Sequence, residues 1–432
     1  MTNINGFDRL FKFAAKSLQK TFGFITVNHE FKKDEMAAVS GLVGVYDQEV
    51  IEEYEEAFSK VLGGGHCVSF ASARMALYAI LSSLDIGRGD EVIITGFTCA
   101  VVPNAVLRAG AIPVYCDISV DNFGTCSKSL STLITSRTRV IIAQHTFGIP
   151  CDIDRIAKVA KINGIILVED CALSLGSKLK GRSLGTYGDF AIFSTDHSKP
   201  INTMTGGMVY SSSAKNIKLV RAVQTQSKEL PKSFQQSLFF RYKIEQTLLS
   251  RDYYFFCKLL MRCLSFLSKL RLISFKSLNK DFSHFVHSSY PYPAKLPAFS
   301  AKIGLLELKK WEKSVKKRQD FFYKTVMWLT NHDVSMPKRY FDKSSKIVPL
   351  RIICLHSDSS LVTSGLKSMF DQKWFWFRQP IAEAQCRLEK LGYRLGDCPN
   401  AEFIGKRIIN IPCNQNNKVM RIINKNILAL GN

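Results

Sequence analysis

At 432 residues, with 46% hydrophobic and 22% charged side chains, the chain is long enough for a large core and too apolar for a disordered or fibrous protein. Lysine and arginine number 59 against 36 acids, and the resulting formal charge of +23 draws polyanions. Nucleic acid is set aside, because no zinc-finger spacing, RNP-like aromatic signature or basic heptad region accompanies the charge, whereas a membrane surface or a diphosphate-bearing substrate fits it.

Residues 1–40 form an N-terminal extension. Its first 24 residues carry charges throughout and lack an apolar core of signal-peptide length, so secretion is not expected. The 12 cysteines are scattered without CxxC pairs, as reduced core residues of a cytoplasmic protein would be. No stretch is apolar for long enough to span a bilayer cleanly.

Residues 41–230 read as the large domain. From about Gly63, short β-branched runs alternate with helix-like segments, the pattern of βαβ units and a mostly parallel, buried sheet. Strands are expected at Glu91 to Thr95, Ile112 to Cys116, Arg139 to Ala143, Ile165 to Glu169, Phe190 to Ser194 and Met208 to Ser211. Helices are expected at Ala73 to Leu84 and Ile153 to Ile162. Ser72, Asp170 and Ser194 all fall at strand ends or just after, where ligands gather in such sheets.

Residues 231–290 differ in character. Between Phe234 and Phe285, leucine and phenylalanine interleave with arginine and lysine, as in one or two basic amphipathic helices. A helical insertion packed on the main domain is the favoured reading, with peripheral contact at the inner face of the membrane as the other. Residues 291–432 hold a connecting helix, Ala298 to Leu329, and a small α+β domain. That domain has a strand at Ile347 to Cys354 and helices at Leu361 to Phe370 and Val419 to Leu430.

The chemistry concentrates around Lys199. Taken alone it is a solvated loop lysine; following a strand end and preceding Gly206-Gly207, it suits a lysine that forms a Schiff base over a flat cofactor. Asp170, which closes a strand upstream, can cap a helix or pair with a protonated pyridine nitrogen. Ser69-Phe-Ala-Ser-Ala-Arg74 opens a helix on small residues, which makes Ser72 an N-cap, part of a phosphate cradle, or both.

At these residues the sequence resembles the DegT/DnrJ/EryC1/StrS family of sugar aminotransferases, enzymes of fold type I that use pyridoxal 5'-phosphate (PLP). The likeness is ordered from about Gly41 to the C-terminus. It runs through Gly87-Arg-Gly-Asp-Glu-Val-Ile-Ile-Thr-Gly-Phe-Thr98, Asp117-Ile118, His145-Thr-Phe-Gly148, Glu169-Asp170, Gly188-Asp189, Phe193-Ser194, Lys199 and Gly206-Gly207, and closes on Cys398-Pro-Asn-Ala-Glu402. It implies an α/β fold with a mostly parallel sheet, a smaller C-terminal α+β domain, and a two-fold homodimer with shared sites. It also implies that Lys199 holds the cofactor and moves the proton, that Asp170 pairs with the pyridinium, and that Ser72, Ala73, Arg74 and Ser194 hold the phosphate. No metal is implied.

The sequence departs from the family's pattern at three places, one of them a pair of residues. Cys99 stands where an aromatic commonly stacks on the ring, and Leu173 where a glutamine meets the cofactor hydroxyl. Pro293 and Lys295 stand where an asparagine and an arginine reach the partner's site. The expected reaction is transfer of an amino group from glutamate to a keto-deoxysugar on a nucleoside diphosphate, for a surface polysaccharide. Two alternatives are a sugar dehydratase of the same family, in which a histidine replaces the lysine and for which His197 is the candidate, and a non-catalytic, membrane-associated scaffold.

Overall fold

The computed structural model of the chain describes residues 32–248, 290–357 and 377–413, a few residues between 260 and 270, and residue 359. Seven strands form the central sheet: β1 (His66–Phe70), β2 (Glu91–Thr95), β3 (Ile112–Cys116), β4 (Thr138–Gln144), β5 (Ile166–Asp170), β6 (Phe190–Ser194) and β7 (Gly207–Ser211). Their spatial order is β1-β7-β6-β5-β4-β2-β3. The pairs from β6 to β3 are parallel, and β7 runs antiparallel to both β6 and β1.

The strands form because β-branched and aromatic residues are buried on both faces of the pleat. Val92, Ile94, Val140, Ile142, Val168, Phe190, Ile192 and Val209 join one core cluster. Ile93, Ile141, Leu167, Ala191, Phe193, Met208 and Tyr210 join the cluster on the other face. Helix α1 (Gln48–Leu62), capped by the Asp47 carboxylate, lies on the second face through Ile51, Tyr54, Phe58 and Leu62. Helix α2 (Ala73–Ser83) lies on the first through Met75, Ala76, Leu77, Ala79, Ile80 and Leu81. Helix α3 (Val101–Arg108) accepts Pro103 because its first turn needs no N–H there. The expected helix at Ile153 to Ile162 is α4, with Ile153, Ile156 and Ala160 inward.

Helix α5 (Ala214–Gln226) packs against α2 and β1. Helix α6 (Lys232–Leu248) begins the basic segment, and its Phe234, Leu238, Phe239 and Tyr242 enter the main core, so this part packs on the large domain. The remainder to Phe285 lies largely outside the described residues, as do the expected helices at Leu361 to Phe370 and Val419 to Leu430. Among the described residues, no helix is long and apolar enough to cross a membrane.

Two expectations need correction. The single helix Ala298 to Leu329 is two helices, α7 (Ala298–Leu308) and α8 (Trp311–Thr330), broken at Lys309-Lys310. The break lets the chain leave the core beneath the sheet, where Ile303 and Leu306 sit, and deliver Phe321, Phe322, Val326 and Leu329 to a third core. The strand expected at Ile347 to Cys354 starts only at Arg351, since Pro349 offers no N–H to a ladder; residues Arg351–Leu355 pair with Ile408–Pro412. The C-terminal segment shares a core cluster with the sheet through Ile353, Ile381, Tyr393, Ala401 and Ile408, and Asp117 adds a polar tie, its carboxylate accepting the Asn400 and Ala401 amides at 3.0 Å each. That bond gives the Cys398 to Glu402 motif its structural meaning.

Candidate active site

Because the pleat alternates, Val168 and Asp170 of β5 face α2, while Leu167 and Glu169 face the opposite side. On β6 the same rule puts Ile192 and Ser194 on the α2 side. Beyond these strand ends lies a cavity lined by all eight expected residues, Ser72, Ala73, Arg74, Cys99, Asp170, Leu173, Ser194 and Lys199. The sheet's carboxyl edge and the start of α2 thus bring together residues that span more than a hundred positions of sequence.

At one end of the cavity is the N-terminus of α2. Ser72 occupies the cap position, yet its hydroxyl makes no cap hydrogen bond, and among the described residues its buried Oγ has no partner. Gly207 lets the helix come this close: a Cβ there would stand 2.2 Å from the Ala73 nitrogen. Arg74 is buried, and its Nη2 donates to the Tyr290 hydroxyl at 3.0 Å. An outward helix N-terminus and an unsatisfied buried hydroxyl make an anion cradle.

Asp170 is buried, and its Oδ1 accepts the Ala172 amide at 3.0 Å, so it also serves the turn that follows β5. Burial raises its carboxyl above the usual carboxylate range, against the pull of the Ala172 amide and the Lys199 charge. Lys199 is 8% exposed, so the solvated loop reading does not describe it. Its backbone N–H donates to the Asp196 carbonyl at 2.9 Å, closing a turn that carries the side chain to the cavity. His197 pairs with Asp196 through Nδ1 and is not part of the lining.

Of the opposite wall, sequence reasoning found only Cys99. The two-residue strand Thr98–Cys99 pairs in parallel with Ile381–Ala382 near the C-terminal end of the chain, and this bridge brings Phe377 and Glu383 to the cavity. Phe377 packs between Phe97 and Phe147, with ring centroids 5.0 and 5.1 Å away. Thr98 lines the cavity with a buried Oγ1 that has no partner among the described residues. Behind the wall, burial pulls the Arg351 guanidinium down to about 10, with the nearby Glu383 carboxylate opposing the shift. Lys295 lies elsewhere, with its ammonium 4.8 Å from the Tyr46 ring of the same chain.

On the far face of β5, His145, Glu169 and Cys171 place potential metal ligands within 4.8 Å of one another. Hydrogen bonds already occupy the trio. Glu169 accepts the amides of Gly185, Tyr187 and Gly188 at 2.8, 2.5 and 2.7 Å. His145 Nδ1 accepts the Cys151 amide at 3.2 Å, which assigns the ring proton to Nε2, facing Glu169 at 3.0 Å. The cluster braces the sheet.

The family model of the DegT/DnrJ/EryC1/StrS aminotransferases matches residues 30–247 and 265–425. The chain belongs to the DegT/DnrJ/EryC1/StrS aminotransferase family. A stretch of 163 residues is 32% identical to GDP-perosamine synthase of Vibrio cholerae, covering 38% of this chain and 44% of that protein. Another of 163 residues is 36% identical to UDP-N-acetyl-3-dehydro-alpha-D-glucosamine 3-aminotransferase of Acidithiobacillus ferrooxidans, with the same coverage. The chain therefore matches less than half the length of these curated relatives. Among solved structures, an aminotransferase from Psychrobacter cryohalolentis superposes with a TM-score of 0.69 at 19% identity, over 94% of this chain and 98% of that one. A putative sugar aminotransferase from Streptococcus pneumoniae, solved in its PMP form, gives 0.69 at 20% identity over 92% and 96%. These likenesses establish the fold.

The DegT/DnrJ/EryC1/StrS family implies PLP, and the cavity fits it. The unsatisfied Ser72 hydroxyl at a helix N-terminus suits a phosphate, and Thr98 offers a second unsatisfied hydroxyl. Asp170 is a buried carboxyl group whose charged form burial disfavours, and a protonated ring nitrogen beside it would offset that cost. Lys199 supplies the amine.

Proposed function

We propose that the chain is a PLP-dependent aminotransferase that places an amino group on a keto-sugar carried by a nucleoside diphosphate, for a surface polysaccharide, with glutamate as donor. The observation that carries this reading is the convergence of Lys199, Asp170 and the unsatisfied Ser72 hydroxyl on one cavity within this family's fold. The names of the aligned relatives, which make GDP-perosamine and aminate a UDP-sugar, support the substrate class.

When bound, PLP supplies an electron sink and carries the amino group between two half-reactions. Ser72, Ser194 and the first amides of α2 hold its phosphate. The Asp170 carboxylate keeps the ring nitrogen protonated, and in doing so regains a counter-charge for its own buried position. The Lys199 amine, held on the Asp196 turn, takes a proton from the reacting carbon and returns it, which requires that it be uncharged for part of the cycle. Leu173 and Phe377 give the cavity apolar surface that would exclude water from it. Lys199 occupies the position at which the dehydratase branch has a histidine, and His197 is turned to Asp196, which argues against the dehydratase reading.

The test is spectroscopic. Purified protein should turn yellow on addition of PLP, and GDP-perosamine, offered as amino donor in the reverse direction, should discharge the colour. A protein that stays colourless with PLP would overturn the reading and favour the scaffold.

A further inference from the structure

The family match leaves out residues 1–29 and 248–264. Both stretches alternate basic with apolar side chains. In residues 253–275 the only charged side chains are Lys258, Arg262, Lys269 and Arg271, and across residues 234–285 nine lysines and arginines stand against three acids. Near the N-terminus, Phe7, Leu10, Phe11, Ala14, Leu18 and Phe22 recur at the spacing of one helix face. Arg9, Lys12, Lys16 and Lys20 fall on the opposite one, so the sequence predicts a basic amphipathic helix there.

The two stretches are tethered through segments that meet on α6. Gly44, which follows the short helix Lys33–Gly41, donates its N–H to Gln235 Oε1 of α6 at 3.1 Å. Tyr290, where the chain returns from the basic segment, meets Phe234 of α6 edge to face, with ring centroids 5.4 Å apart. Within that segment Leu260, Phe266 and Leu270 are 38%, 61% and 53% exposed, and Cys263 between them is exposed. Spacings of three and four residues set this row on one helix face, where the Leu270 N–H donates to the Phe266 carbonyl at 3.1 Å; Leu264 and Leu267 are half-buried. Single exposed apolar residues need no explanation, but a row of them on a helix that is apolar on its inner side as well marks a contact surface.

We propose that this face docks on an anionic lipid bilayer, with the apolar row set at the acyl boundary and the basic residues of both stretches at the phosphate headgroups. Charge decides the occupant. A second copy of the chain would bring the same excess of positive charge to the contact, whereas an anionic headgroup layer neutralises it and the acyl boundary takes up leucine and phenylalanine. The chain lies on the bilayer and does not cross it there, because four basic residues interrupt residues 253–275. None of the row lines the cofactor cavity, so docking is independent of the amino-transfer reading and fixes where the reaction takes place.

Flotation of the full chain with lipid vesicles in a density gradient tests this, since lipid-bound protein rises while aggregates sink. Flotation should be roughly tenfold or more stronger with mixed phosphatidylcholine and phosphatidylglycerol than with phosphatidylcholine alone, and the difference should shrink as salt is raised. Phe266→Ser combined with Leu270→Ser should lower flotation on the anionic vesicles by about tenfold, while the unfolding temperature and PLP uptake stay those of the natural chain. The comparison of vesicles needs only the natural chain, so it decides the matter even if the variant does not fold. Flotation indifferent to phosphatidylglycerol, or a substituted chain that floats as well as the natural one, would overturn the proposal. A natural chain that does not float at all, as when a second copy covers the row, would overturn it too.

Discussion

On β5 the pleat sends Glu169 into a cluster where three backbone amides and His145 satisfy it, and sends Asp170 to the cavity, where a single amide does. Adjacent acids of the same chain therefore have different chemistry. Asp170→Asn should preserve PLP uptake, because the phosphate cradle is untouched. It should slow amino transfer by on the order of 10²-fold or more, because an amide cannot hold a ring nitrogen protonated. Stopped-flow absorbance would check this, and near-normal rates would remove Asp170 from the mechanism. Asp170, Ser194 and Lys199 were legible because strand ends and glycines mark them in sequence. Glu383, Phe377 and Thr98 were not, because a residue on the wall is recruited by a tertiary bridge between Thr98–Cys99 and Ile381–Ala382, which leaves no local signal.

Among the elements, the buried strands were the most legible, since β-branched runs between turn residues allow few other structures. Glu91–Thr95, Ile112–Cys116 and Phe190–Ser194 have the expected bounds. The break between α7 and α8 was hidden because the lysines there are good helix formers, and the reason for turning is the position of another core. The contact between α2 and β7 is the element-level requirement of the site. Gly207→Ala would press a methyl group against the Ala73 nitrogen, a backbone atom that cannot rotate away. The expected loss of stability is about 1–3 kcal/mol, with weakened PLP binding as α2 shifts. Thermal unfolding with and without PLP measures both, and a variant as stable and as retentive of PLP as the natural chain would contradict this packing.

At the scale of the molecule, the charge of +23 and the acidity of the cavity lining, which holds Asp170, Asp196 and Glu383 against Arg74 and Lys199, are separate properties. The surface sets the long-range field and so bears on how the proposed diphosphate-bearing substrate would arrive, whereas the lining sets the charge met inside the cavity. Composition made the first visible and could say nothing of the second. The central claim is that this fold holds PLP on Lys199, and chemical trapping tests it most directly. Borohydride reduction of the PLP-loaded protein, followed by proteolysis and mass spectrometry, should place a single pyridoxyl group on the peptide containing Lys199. A pyridoxyl group on another lysine, or none at all, would contradict the account.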